Sequence, residues 1–226
     1  MAQLTFYRWL YLATDLLYIV PILIAYTKFK KLSIGQKWFV GYLLVYFSIN
    51  IISDIMVFCF NTKNLFLWYF YSLADLVFTF QTYRYFFQNQ LKIKYLIILF
   101  SIGLGSLLLD LFWLTGFANE ENYFSESVIS LCIFVVSLYY LVNLLSKNIK
   151  ENVFNELNLF IALCLMVQFF LKAVLKFLSK YLFETESNYY TIVQYVNFFN
   201  FFNIITLLIV SWAFHNLFTS TGSFNE

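Results

Sequence analysis

The sequence predicts an all-α polytopic membrane protein: a bundle of seven transmembrane helices with its N-terminus outside and its C-terminus inside. Three observations predict it. The 226 residues are 62% hydrophobic and only 12% charged, with a mean hydropathy of +0.76, which leaves too few charges to cover a soluble surface. Apolar segments recur along the whole chain, each long enough to cross a bilayer of roughly 30 Å at about 1.5 Å per residue. The connections between them are short, and Lys and Arg concentrate in the odd-numbered ones.

The first span is expected at residues 4–26. MAQLTFYRWLYLATD has neither a basic n-region nor a small-residue cleavage site before its apolar run, so it reads as a retained helix. The only proline, Pro21, should kink this span. Residues 38–60, 65–87, 95–114, 123–145, 154–180 and 189–215 supply the other spans, and 216–226 a short cytoplasmic tail. All of 1–226 therefore forms a single transmembrane domain.

Orientation follows from where Lys and Arg lie. The first loop holds Lys28, Lys30, Lys31 and Lys37, the third Arg84, Lys92 and Lys94, and the fifth Lys147 and Lys150. The second has Lys63 alone. The fourth and sixth lack bases and carry Glu120, Glu121, Glu184 and Glu186. Odd loops are thus expected inside. A bacterial inner membrane is the expected location.

With that topology, ionisable side chains gather in the outer leaflet. Asp15, Asp75 and Lys172 lie roughly 14–15 Å in from the outer ends of their helices, and Asp54 and Lys176 about 8–9 Å in. Asp110 and Glu126 lie nearer the surface and read as interface residues. A charge near the bilayer centre costs about 2.5–3.5 kcal/mol, so Asp15, Asp75 and Lys172 must face one another or water. Gln168, Lys172, Lys176 and Lys180 recur every four residues and form one polar stripe. Lys180 and Lys176 can alternatively snorkel to the headgroups. In the seventh span Gln194, Asn197, Asn200 and Asn203 recur at steps of three, as cavity lining or as polar glue between helices. Asp15, Asp75 and Glu126 recur in odd spans, and Asp54, Asp110 and Lys172 in even ones. A three-hairpin duplication plus a seventh helix would produce this, as would a three-plus-three repeat around a linker helix, and so would hairpins that merely look alike.

Several chemistries lack their residues. A retinal protein needs a lysine on the seventh span, and 189–215 has none. A metal hydrolase needs several imidazole or carboxylate ligands around one ion, but His215 is the single histidine. YLATDLLY and YSLADLVF lack the glycines of an intramembrane aspartyl protease. The cysteines Cys59, Cys132 and Cys164 sit singly in apolar runs and read as small hydrophobes. No enzyme activity, cofactor, metal or nucleic-acid partner is expected.

The runs WYFYSLADLVFTFQTYRYFF and FSESVISLCIFVVSLYYLVNLL resemble a family of small bacterial seven-helix membrane proteins without assigned activity. In that family an acidic residue sits in the third span and another opens the fifth, places that Asp75 and Glu126 hold here. The resemblance implies an inner-membrane protein acting with a sensory partner.

These observations lead to three functional expectations. The first is a sensing or signalling protein whose outward-open cavity, lined by Asp15, Asp54, Asp75, Lys172, Lys176 and Asn197, binds a polar small molecule. Its partners would be the lipid bilayer and a cytoplasmic or membrane signalling protein. The second is a small secondary transporter, proton-coupled through Asp15 or Asp75. The third is a structural subunit of a membrane complex.

Overall fold

The computed structural model describes residues 13–60, 62, 64–87, 90–114, 122–147, 157–184 and 189–219. Every regular element among them is helical. Helix α1 is Ile19–Thr27, α2 Ile34–Phe58, α3 Leu67–Phe86 and α4 Gln90–Leu109; α5 is Tyr123–Lys147, α6 Leu157–Glu184 and α7 Tyr189–Thr219. Residues 4–12 of the expected first span and 220–226 of the expected tail lie outside the described residues.

Local chemistry sets several boundaries. Residues 13–17 are also helical, so that one apolar helix runs over Ala13–Thr27 with a break at Tyr18. Tyr18 lies just ahead of Pro21, whose ring leaves no N–H to donate and crowds the carbonyl one turn before it. Helix α2 starts earlier than hydropathy suggests because Ser33 and Gln36 close a capping box. The Ser33 N–H donates to Gln36 Oε1 at 2.9 Å, and the Gln36 N–H donates back to Ser33 Oγ at 3.4 Å. Helix α4 widens into a π-helical stretch, Asp110–Leu114. The Asp110 Oδ2 there accepts the Ser125 N–H at 2.9 Å and so caps the first turn of α5 from a neighbouring helix.

Sequential helices pack side by side, most extensively α5 with α6 and α2 with α3, and α1 also contacts α7. The bundle thus closes on itself, and α3 also meets α5 across it. Its surface inverts that of a water-soluble protein. Trp113 is 82% exposed, Phe177 76% and Phe112 72%, whereas Asp75, Asp110 and Glu126 are fully buried. Among the described residues, four segments are long and apolar enough to cross a membrane: Ile34–Val57, Ile93–Leu114, Tyr123–Ser146 and Leu157–Leu178. An apolar exterior around a polar centre is what lipid demands, because hydrocarbon solvates side chains such as Phe112 and cannot solvate Asp75.

Candidate functional site

The site is built by three helices that turn short-period polar faces toward one another. On α6, Lys172 and Lys176 stand one turn apart on the same face. On α5, Asn122, at its start, and Glu126 share a face in the same way. On α3, Trp68, Ser72 and Asp75 descend from its first turn. Because α5 and α6 run antiparallel in close contact, Glu126 meets both lysines.

Lys172 is the hub. Its Nζ lies 2.7 Å from Asp75 Oδ2 and 2.8 Å from Glu126 Oε1, and it donates to the Tyr46 hydroxyl at 3.1 Å. Lys176 Nζ lies 2.9 Å from Glu126 Oε2. The Tyr42 hydroxyl donates to Asp75 Oδ1 at 3.1 Å, so both oxygens of that carboxylate are held. Among the described residues, two carboxylates and two ammonium groups therefore balance within one network. The side chains of Asp75 and Glu126 are 0% exposed, that of Lys172 6% and that of Lys176 14%. Burial on this scale costs each ion several kcal/mol unless opposite charges and hydrogen bonds replace water, and here both do. Above Glu126, the fully buried Asn122 donates to Ser72 Oγ at 2.8 Å and ties α5 to α3. Below it, Ser130 is fully buried as well, and its Oγ has no hydrogen-bond partner among the described residues.

Asp15 and Asp54 form a second group on α2 and the helical turns before α1. Asn50 Nδ2 donates to Asp15 Oδ1 at 2.6 Å, and the Tyr71 hydroxyl donates to Asn50 Oδ1. Asp54, half-buried, stands one turn from Asn50 on α2, and the buried Asp15 Oδ2 has no hydrogen-bond partner among the described residues. A cluster of tilted tyrosine rings joins the groups: the centroid of the Tyr46 ring lies 4.9 Å from that of Tyr71 and 5.0 Å from that of Tyr42. Farther along α6, Gln168 Nε2 donates to Asn203 Oδ1 at 3.2 Å and links α6 to α7.

The residues expected to line one basin thus divide in two. Asp75, Lys172 and Lys176 meet in the ion network, while Asp15 and Asp54 sit with Asn50 and Tyr71. Asn197 belongs to α7, but its side chain lies outside the described residues, as does that of Lys180. Counting depth along the chain assigned Glu126 to the interface; the structure buries it completely and gives it both lysines. The sequence held a signal for this, since Glu126 and Lys176 lie near the same ends of adjacent antiparallel helices. Tyr42, Tyr46, Asn50 and Tyr71 were not singled out, because one tyrosine in an aromatic-rich chain carries no mark of its rotation toward the interior.

Comparison of the chain with protein-family models, with curated proteins and with solved structures gives no match.

Proposed function

We propose that this chain is a seven-span protein of a bacterial inner membrane, N-terminus outside, that senses a small polar molecule arriving from the outer side. The observation that carries the proposal is the buried, charge-balanced network of Asp75, Glu126, Lys172 and Lys176 joining α3, α5 and α6. A ligand that pairs with any one member releases another, and a released charge in low dielectric forces the helices to readjust. That converts binding into movement. The basic loop around Lys28, Lys30 and Lys31 would meet anionic headgroups or a cytoplasmic partner that carries the signal onward.

Two experiments test this. Thermal-shift screening of polar metabolites in detergent compares the wild type with Lys172→Ala and Asp75→Asn. A compound that stabilises the wild type alone supports sensing at the network, and a screen that yields none removes its main support. Orientation is tested with Thr62→Cys and Lys31→Cys, each in a background free of Cys59, Cys132 and Cys164. An impermeant maleimide applied to intact cells should label position 62 and spare 31.

A proton-coupled carrier is the second function supported by a specific observation, the buried Asp15 carboxyl group, whose Oδ2 has no hydrogen-bond partner among the described residues. Uptake into proteoliposomes under an imposed pH gradient, absent in Asp15→Asn, would favour it over sensing.

A further inference from the structure

Lys176 occupies a place with the features of a ligand site. Its Nζ lies 3.8 Å from the centroid of the Trp68 ring, 5.5 Å from that of Tyr123 and 2.9 Å from Glu126 Oε2. Two aromatic faces and a fully buried carboxylate converge on one ammonium group. Indole is the strongest π partner for a cation, and the attraction grows as water is removed. Neither ring is needed to neutralise Lys176, since Glu126 already does so.

We propose that Trp68, Tyr123 and Glu126 form a binding site for the ammonium group of an external small molecule, and that Lys176 fills this site until the ligand displaces it. The inference rests on the outward sensing proposed above and gives that ligand a chemical class.

Charge balance decides for a cation. Exchanging one ammonium for another leaves the network neutral, whereas an anion would have to draw a lysine away and leave a carboxylate unmatched in the interior. Geometry decides which lysine yields. Lys172 is gripped by Asp75, Glu126 and the Tyr46 hydroxyl and is the more deeply buried. Lys176 lies one turn nearer the end of α6, and its four-carbon stem lets the charge swing to the headgroup region while the stem stays in lipid. Once Lys176 leaves, Glu126 keeps Lys172 on Oε1 and offers Oε2 to the ligand. Loss of the Lys176–Glu126 contact would uncouple α6 from α5 at one point, which is the movement a sensor needs.

The test is calorimetric titration of the full chain in nanodiscs with tetramethylammonium chloride, using sodium acetate as the anion control. Lys176→Met removes the internal competitor and should bind tetramethylammonium roughly tenfold more tightly than the wild type. Trp68→Leu added to that variant should lose about tenfold, and Trp68→Phe less. Should the methionine variant aggregate, Lys176→Gln supplies the same comparison. Equal affinity in wild type and Lys176→Met overturns the proposal, as does binding indifferent to Trp68, or acetate binding in place of the cation. Failure of this site is separable from failure of the outward sensor. Absent tetramethylammonium binding with position 62 outside overturns the ammonium site alone, whereas labelling of position 31 from outside overturns the sensor.

Discussion

Replacing Lys172 with methionine should cost about 3–5 kcal/mol of stability, the range for removing one partner from a buried ion network. The structure shows what is left behind. Asp75 retains the Tyr42 hydroxyl at 3.1 Å, and Glu126 retains Lys176 at 2.9 Å. Two carboxylates then share one ammonium, and one buried negative charge stands unmatched. Methionine keeps most of the lysine stem's volume, so lost packing adds little. Pairing the change with Asp75→Asn restores neutrality. The double variant should then be more stable than Lys172→Met alone, with a coupling energy of about 0.5–3 kcal/mol. Reversible unfolding in mixed micelles, followed by tryptophan fluorescence, measures all three proteins against the wild type. The reasoning is refuted if Lys172→Met loses less than about 1 kcal/mol, a value typical of an exposed pair. It is refuted equally if the double variant loses the sum of the two single losses.

The same unfolding assay checks three further expectations. Asp110→Ala removes the acceptor for the Ser125 N–H and should destabilise by about 0.5–2 kcal/mol, with Asp110→Asn, which keeps an oxygen in place, losing less. A Cβ at Gly35 would meet the Phe86 ring at 2.8 Å and the Thr82 carbonyl at 3.1 Å, so Gly35→Ala should lose about 1–3 kcal/mol; at Gly105 nothing lies within 4 Å, and Gly105→Ala should gain about 0.5–1 kcal/mol from helix propensity. Asn50→Leu takes the Nδ2 donor from Asp15 Oδ1 and the Oδ1 acceptor from the Tyr71 hydroxyl and should cost about 1–3 kcal/mol, more than Tyr71→Phe, which removes only the one hydrogen bond to Asn50.

Side-chain order along one chain settled a good deal by itself. Apolar runs interrupted by short polar connections predict helices at 38–60, 65–87, 123–145 and 154–180, each overlapping an observed helix, because a segment in hydrocarbon must satisfy its own backbone hydrogen bonds and only a helix does so within one strand of chain. The lysines of FLKAVLKFLSK fall on one face by the same local logic, a period of 3.6 residues. Small adjustments at element ends, such as the Ser33–Gln36 box and the break ahead of Pro21, are also local and were there to be found.

What the sequence left open is rotation. Depth can be counted residue by residue, but the angle at which a helix presents a residue depends on its neighbours. Glu126 shows the difference: by depth it belongs near the surface, yet the packing of α5 on α6 turns it inward between Lys172 and Lys176. Asp15 and Asp75 share a depth, yet one joins Asn50 and the other Lys172, 97 residues away along the chain. Burial of a charge has no local cause. It becomes affordable only when separate helices bring its counterparts within hydrogen-bond reach, and only the assembled bundle determines whether they do.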